Sequence, residues 1–249
     1  MLKEERLRAI LERLNQDQKV LLTTLSKELK VSEYTIRRDI KTLAEKGLLK
    51  AVRGGAVPHS PNSYLFKERI HQGSEIKKTI AEKALGLLQE NQVIILDGGT
   101  TTLTIASMLP DNMHLTVLTN SFPIVSILEG HENVEVLFAG GRLSKKPFVT
   151  TGHDTIDFFS KFHADLCFLG ICSIHPTLGV TSPDYEEGEV KRSMIHNSLQ
   201  VVALSSLEKI HTAEPYLICP VQALDTIITD FSPDHPSLSA LIEAGINVL

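Results

Sequence analysis

The sequence predicts two domains of different classes, a winged helix-turn-helix followed by a larger, mostly parallel α/β domain. Three observations lead to this prediction. A short amphipathic helix with both of its ends marked occupies residues 32–47. From residue 93 onward, apolar runs of strand length alternate with helical patterns. The two parts also differ in net charge. Residues 1–60 hold 13 basic and 8 acidic side chains, whereas the rest of the chain holds 12 basic and 22 acidic ones.

Apolar spacing predicts three helices at the start of the chain. Residues 2–14 and 24–29 each carry one apolar face. The third helix begins after Ser32, a good N-cap, and ends at Gly47, a good C′ residue. Its narrow apolar stripe consists of Ile36, Ile40 and Leu43. The tight turn between the second and third helices gives the spacing of a helix-turn-helix, whose second helix enters a DNA major groove.

The polar face of the third helix and a predicted wing are the candidate DNA contacts. Strands at residues 48–52 and 56–57 would form the wing around Gly54 and Gly55. A basic helical face is more often only solvated, but the turn before it and the wing after it favour DNA binding. The predicted contacts are Ser32, Tyr34, Thr35, Arg37, Arg38, Lys41, Lys50 and Arg53.

Two prolines predict the domain boundary. Pro58 and Pro61, among polar residues, can continue neither a helix nor a central strand. We therefore expect the winged helix-turn-helix over residues 1–57, a linker over 58–73 and the second domain over 74–249. A chain of 249 residues is long enough for this division.

The second domain is predicted to be a parallel sheet covered by helices on both faces. Residues 63–89 are mainly helical in pattern. The predicted strands are 93–96, 115–119, 134–139, 166–169, 200–204, 226–229 and 247–249. The predicted helices are 101–109, 122–129, 155–162, 187–197 and 237–244.

Ligands of open parallel sheets bind at the carboxyl ends of the strands. Six residues at the carboxyl end of the first predicted strand are candidates for such a site, and they also begin a helix. They are Asp97, Gly98, Gly99, Thr100, Thr101 and Thr102. Glycines allow close backbone approach and a helix start presents free N–H groups, which together suit a phosphate. The stretch lacks the lysine of a P-loop, and a tight turn explains it equally well. Asn120 and Arg142 follow the next two strands, and an arginine can bind a phosphate bidentately.

The N-terminal part closely resembles the DeoR family of bacterial transcriptional regulators. The matching residues are Val31-Ser32, Thr35-Ile36-Arg37-Arg38-Asp39-Ile40, Leu43, Gly47-Leu48-Leu49 and Arg53-Gly54-Gly55-Ala56. The second domain resembles the sensor domain of the same family. There the matches are residues 97–102, Thr119-Asn120, Gly140-Gly141, Ala164-Asp165 with Gly170, and Glu186 through Lys191 to Met194.

The resemblance implies a fold similar to ribose-5-phosphate isomerases and coenzyme A transferases, used without catalysis. The domain would sense a phosphorylated sugar or related metabolite and adjust operator binding, as in a repressor of carbohydrate genes. Asp97 is expected to bond sugar hydroxyls while Gly98 to Thr102 hold the phosphate, with Asn120 and Arg142 adding contacts. One departure concerns the usual Asp-Ser-Ser-Lys-like run, which here reads Leu204-Ser205-Ser206-Leu207-Glu208-Lys209. Its lysine is either lost to Leu207 or displaced to Lys209.

Other features predict a cytoplasmic protein. No apolar run approaches the roughly 20 residues that span a bilayer, so no membrane partner is expected. Cys167, Cys172 and Cys219 are odd in number and lie in apolar segments, as buried thiols do in a reducing compartment. No catalytic residue, metal or cofactor is predicted. One winged helix reads few base pairs, so we expect a homo-oligomer on double-stranded operator DNA, assembled through the second domain.

Two alternatives remain open on the sequence. The chain could be an isomerase- or transferase-like enzyme with an accessory DNA-binding domain, which needs a base and an electrophile at the strand ends. Asp97, Asp184, Glu186, Glu187 and Lys191 could supply such groups, but their spacing selects no pair. The chain could also be a protein-binding module without a ligand.

Overall fold

The computed structural model describes residues 1–17, 19–58, 60, 63 and 65–249. It shows an N-terminal winged helix-turn-helix and a C-terminal α/β domain, so the predicted fold class is confirmed. His59, Pro61 and Asn62, on which the predicted boundary partly depends, lie outside the described residues. In the described part of the chain, no helix is long and apolar enough to cross a membrane.

The N-terminal domain consists of three helices and a three-stranded antiparallel sheet in the order β1-β3-β2. Its elements are α1 (Lys3–Asp17), β1 (Val20–Leu21), α2 (Leu22–Glu28), α3 (Glu33–Glu45), β2 (Lys50–Val52) and β3 (Gly55–Val57). The predicted stripe of α3 packs into the core of this domain with Ile10, Leu14 and Leu25. β1 was not predicted as a strand, because two residues carry no periodic signal.

Both predicted ends of α3 are present. The Ser32 hydroxyl accepts a hydrogen bond from the Thr35 backbone N–H at 3.2 Å. Gly47 follows the helix with φ +68°, the left-handed conformation that glycine adopts without strain. In the wing, a methyl group on Gly55 would overlap the Val20 carbonyl oxygen, so β1 and β3 can pair only because this residue has no side chain.

The second domain is built on seven parallel strands in the order β15-β14-β12-β9-β4-β5-β6. These are β4 (Val93–Leu96), β5 (Leu115–Thr119), β6 (Val134–Phe138), β9 (Ala164–Gly170), β12 (Ser198–Leu204), β14 (Thr226–Ile228) and β15 (Asn247–Val248). All seven correspond to predicted strands. The helices are α4 (Phe66–Arg69), α5 (Ser74–Leu85), α6 (Thr100–Ser107), α7 (Phe122–Leu128), α8 (His153–Ser160), α9 (Tyr185–His196) and α10 (Ser239–Glu243).

The sheet is buried on both faces, as continuous apolar strands require. Along β4, the side chains of Ile94 and Leu96 pack with α5, α6 and α7, whereas Ile95 packs on the opposite face with α8, α9 and α10. This alternation with a period of two assigns each strand residue to one of two cores.

Strand order identifies where a ligand can bind. β4 is followed by β5 and β6 on one side, and the chain then returns to add β9 and β12 on the other side. The connections therefore leave the sheet in opposite directions between β4 and β9, which opens a crevice at the carboxyl ends of these two strands.

Two features were not predicted from the sequence. A hairpin of β7 (Arg142–Ser144) and β8 (Val149–Thr151) follows β6, and a small antiparallel sheet is formed by β10 (Ser173–His175), β11 (Gly179–Ser182) and β13 (Tyr216–Cys219). Strands of three or four residues carry too little alternation to be recognised. In addition, the helical pattern of residues 63–89 is divided into α4 and α5 at Gly73, which has φ +57°.

A buried histidine lies where the two domains meet. His175 on β10 is 8% exposed, and its Nδ1 accepts a hydrogen bond from the Thr177 backbone N–H at 3.2 Å. Its ring is 6.2 Å from that of His211, and Lys19 of the N-terminal domain lies near both. Burial, with smaller contributions from His211 and Lys19, lowers the pKa of His175 to about 4.

This pKa predicts an acid-dependent loss of stability. The folded protein keeps His175 neutral down to about pH 4, whereas the unfolded chain takes up the proton below its ordinary pKa of about 6.5. The stabilisation is therefore complete above pH 6.5 and is lost as the pH falls towards 4. The parent's free energy of unfolding should fall between pH 6.5 and pH 4.5. In His175→Asn, whose Oδ1 can replace Nδ1 as acceptor, this fall should be smaller by about 2 kcal/mol. Urea unfolding at the two pH values measures this difference, and equal losses would contradict the prediction.

Candidate DNA-binding face and effector cavity

The outer face of α3 is polar, basic and exposed. Tyr34 is 75% exposed, and Arg37, Arg38 and Lys41 are also exposed on this side of the helix. Within the described residues, no hydrogen bond or ion pair holds the guanidinium groups of Arg37 and Arg38. On the opposite side, Asp39 is buried and forms an ion pair with Arg6 of α1. This pair fixes α3 against α1 and leaves the basic face free.

The wing brings further cations towards α3. Arg53 in the wing turn is exposed and lines one groove together with Arg37 and Lys41. Lys50 is half-buried on β2, and Ser32 and Thr35 are hydrogen-bonded to each other at the start of α3. The eight predicted DNA contacts thus fall on α3, its cap and the wing, an arrangement that suits a groove and its flanking phosphates.

A cavity of about 380 Å³ lies at the crevice between β4 and β9. Its wall is formed by five segments: the turn from β4 into α6, the residues after β9, the start of α9, the residues after β12, and the corner between α4 and α5. Volumes of this size are typical of small-molecule sites.

Four of the predicted effector residues line this cavity: Gly98, Gly99, Thr100 and Thr101. The first intrahelical hydrogen bond of α6 runs from the Leu103 N–H to the Gly99 carbonyl at 3.1 Å, so the N–H groups before it have no intrahelical acceptor. A methyl group on Gly98 would overlap Val149. One on Gly99 would meet only the Thr102 hydroxyl, at 3.2 Å, so Gly99 is the position where the cradle can be altered with little effect on folding.

Lys191 of α9 forms the floor of the cavity and is 1% exposed. Its ammonium forms an ion pair with Asp97, lies 3.5 Å from a Glu187 carboxylate oxygen and donates to the Gly170 carbonyl at 2.8 Å. Although burial disfavours the ammonium, the charges of Asp97 and Glu187 outweigh this effect and raise the pKa of Lys191. Lys191 is therefore a fixed cation at neutral pH.

Lys209 also lines the cavity. It is the last residue of the run Leu204–Lys209, which departs from the family pattern. A 3-10 turn at Leu207–Lys209 follows β12, and Leu207 packs against the core while Lys209 reaches the cavity beside Ser206 and Glu208. Burial, together with the nearby Arg69, lowers the pKa of Lys209 to about 8. A lysine of this run therefore reaches the cavity.

The described lining carries more positive than negative charge. Its cations are Arg69, Lys77, Lys191 and Lys209, and its carboxylates are Glu187 and Glu208. An excess of cations in a domain that is acidic in composition favours an anionic ligand.

Four of the predicted effector residues do not line the cavity. Asp97 is 2% exposed and accepts hydrogen bonds from Lys191 and from the Gly170 N–H. The Thr102 hydroxyl donates to the Gly99 carbonyl, and the Asn120 amide donates to the Thr150 carbonyl at 2.8 Å. Arg142 is an exposed residue of β7 and pairs with Glu186 of α9. Their contact with an effector stays a prediction.

Sequence reasoning missed most of the cationic wall. Arg69 and Lys77 come from the corner between α4 and α5, which the sequence presents as part of one long helix. The Lys77 ammonium caps the carbonyl ends of α4, at Arg69 and Ile70, and burial lowers its pKa. Lys191 and Lys209 carried a signal, in both cases through the family resemblance. Among the described residues, no group of three His, Cys, Asp or Glu side chains could hold a metal ion.

Family comparisons match nearly the whole chain. Residues 6–62 match the model described as "DeoR-like helix-turn-helix domain", and residues 72–231 match "DeoR C terminal sensor domain".

Similar proteins include two curated regulators. The HTH-type transcriptional regulator GlpR of Haloferax volcanii is 31% identical over 251 residues, covering 100% of this chain and 98% of that protein. The glycerol-3-phosphate regulon repressor of Escherichia coli is 28% identical, with coverage of 100% and 99%. Among solved structures, ribose 5-phosphate isomerase A from Methanocaldococcus jannaschii aligns with a TM-score of 0.41 at 15% identity, over 55% of each chain.

Proposed function

Because the chain belongs to the DeoR family of DNA-binding transcriptional regulators, we propose that it is an effector-controlled repressor of carbohydrate-metabolism genes. It is a regulator rather than an enzyme, as its curated relatives are. The observation that carries the proposal is the capped α3 helix, whose basic outer face is exposed and has guanidinium groups that no described residue holds.

In the proposed complex, α3 enters the major groove of operator DNA. Arg37 and Arg38 point away from the protein core, so each can reach a guanine edge or a phosphate. Lys50 and Arg53 of the wing neutralise phosphates beside the groove, which positions the domain without reading sequence. Ser32 and Thr35 hold the first turn of α3, where base contacts are usually made.

The effector is proposed to be a phosphorylated sugar or related metabolite bound in the cavity below α6. Its phosphate would lie against the backbone of Gly98 to Thr101, where free N–H groups and the helix dipole favour an anion. Lys191 and Lys209 would supply charge from the opposite wall. The name of the Escherichia coli relative, a glycerol-3-phosphate regulon repressor, supports an effector of this class.

The isomerase alternative is disfavoured by the same cavity. Lys191 is held protonated by two carboxylates and cannot act as a base. Asp97 is buried in the ion pair with Lys191 and does not line the cavity. The ion-paired groups are thus engaged with one another rather than directed at a substrate.

We further propose that the protein acts in the cytoplasm as a homo-oligomer assembled through residues 74–249. The sensor domain exposes two stacked aromatic rings, Phe122 and Phe148, whose centroids are 5.9 Å apart and which are suited to contact a second copy of the chain. Paired winged helices on repeated half-sites would provide the selectivity that one module lacks.

The recognition helix can be tested by two substitutions. Arg38→Ala should weaken operator binding by about 1–3 kcal/mol if Arg38 reads a guanine edge, and equally on all sequences if it binds only phosphate. Fluorescence anisotropy with operator and scrambled duplexes distinguishes the two results. Lys161→Ala, at an exposed position directly after α8, removes one charge as a control and should bind as the parent does. Parent-like operator affinity in both Arg37→Ala and Arg38→Ala would exclude α3 as the reading helix.

The effector cavity can be tested through Gly99 and Lys209. A thermal-shift panel of glycerol 3-phosphate, ribose 5-phosphate, glucose 6-phosphate and fructose 6-phosphate identifies a ligand, which should stabilise by about 2.7 kcal/mol at a hundredfold excess over Kd. Gly99→Ala should weaken binding of that ligand, because the added methyl group blocks backbone approach. A panel without any shift would count against the assignment of an effector.

Lys209 gives the same site a pH signature. An anionic ligand binds the protonated ammonium, whose pKa in the free protein is about 8, so affinity should fall about tenfold between pH 7 and pH 9. Lys209→Met should bind more weakly and lose this pH dependence, whereas Lys161→Met should keep it. Isothermal titration at the two pH values measures both effects.

Assembly is tested by sedimentation. At micromolar concentration the chain should sediment as a dimer or tetramer, with and without operator DNA. A mass of 27.5 kDa without DNA, which is that of one chain, together with one chain per duplex in the presence of operator DNA, would exclude the proposed oligomer.

A further inference from the structure

The segment between the two domains is hydrogen-bonded to the sensor domain at described positions. The Pro58 carbonyl accepts from the Ala213 N–H at 3.2 Å. The Ser60 N–H donates to the Glu214 carboxylate at 3.2 Å, and the Ser60 hydroxyl donates to the Cys172 carbonyl at 2.7 Å. We call Pro58 and Ser60, with these three bonds, the linker anchor.

The linker anchor lies close to the DNA-binding wing. β3 ends at Val57, and three residues of extended chain span at most about 10 Å. Any shift of Ser60 relative to the sensor domain therefore reaches the wing over a short length of chain. The orientation of the DNA-binding domain depends on this attachment.

The same anchor shares a wall with the effector cavity. Arg69, Ile171, Cys172 and Lys209 line the effector cavity and also a small adjoining space that is lined by Ser60 and Glu214. Cys172 thus has its side chain between the two spaces and its carbonyl bonded to Ser60. Only Ile171 separates Cys172 from Gly170. The Gly170 N–H donates to Asp97, and the Gly170 carbonyl accepts from Lys191.

One buried donor in this wall is not hydrogen-bonded to any described residue. It is the Nε–H of Arg69, for which the described part of the chain supplies no acceptor. An anion that enters the cavity would offer this buried donor an acceptor and would draw the guanidinium towards itself. Arg69 ends α4, and its movement would shift the wall against which Ser60 is anchored.

We propose that the linker anchor transmits effector binding to the DNA-binding domain, an inference that rests on the proposed function. The bond between Ser60 and Cys172 holds the wing in one orientation. An anionic effector engages Arg69 and Lys209, displaces the wall that contains Cys172, and weakens the anchor. The two ligands are thereby coupled through a two-state contact that touches neither of them.

The test uses Ser60→Ala, which removes the hydroxyl donor at a position outside both binding sites. Operator affinity is measured with and without the panel compound that gives the largest thermal shift on the parent. The parent should show an effector-dependent ratio of operator Kd values of about 5–150, the usual range of allosteric coupling. In Ser60→Ala that ratio should fall to within about twofold of one, while the variant still binds operator and still shows a thermal shift with the compound.

A matched control is Ser160→Ala, because the Ser160 hydroxyl also donates to a backbone carbonyl, that of Asp157, at 2.7 Å. This variant should keep the parent's ratio. A parent-like ratio in Ser60→Ala would overturn the proposal, and so would loss of the thermal shift, since Ser60 would then belong to the site itself. If the parent neither binds operator nor responds to any panel compound, the proposed function fails and this inference fails with it.

Discussion

The buried ammonium of Lys191 is the interaction on which the sensor domain depends. It joins Asp97 at the end of β4, Gly170 at the end of β9 and Glu187 one turn earlier on α9. Removing one partner from a buried ion cluster costs about 3–5 kcal/mol, because the remaining charge is left uncompensated. Apolar residues of the same volume can be equally stable, so the cluster contributes geometry rather than net stability. It holds two strand ends and a helix around one cavity.

The separation of charge along the chain serves both ligands. Basic residues are concentrated in the winged domain, whereas the acidic composition of the second domain disfavours the approach of DNA to that domain. Within that acidic domain, the cavity gathers four cations from segments that are far apart in sequence. Long-range repulsion and local attraction of anions coexist because a low-dielectric cavity responds mainly to its nearest charges.

The altered run after β12 illustrates how a fold can compensate for a changed motif. The 3-10 turn at Leu207–Lys209 places an apolar Leu207 in the core and brings Lys209 to the cavity wall. Side chains at i and i+2 of such a turn point in different directions, so a shift of two positions can exchange a core residue for a cavity residue. The altered run therefore still brings a lysine, Lys209, to the cavity.

Sequence by itself determined the local elements and their order. Ser32 and Gly47 mark the ends of α3 through backbone chemistry, and the alternation around Ile95 marks strands with two buried faces. Burial and long-range pairing were decided only by tertiary structure. The ion pair of Asp97 is one example, because no local pattern reveals that Lys191, 94 positions away, lies beside its carboxylate. Lys191 and Lys209 meet at one cavity because strand order brings the ends of β4, β9 and β12 together, and no local pattern specifies that order.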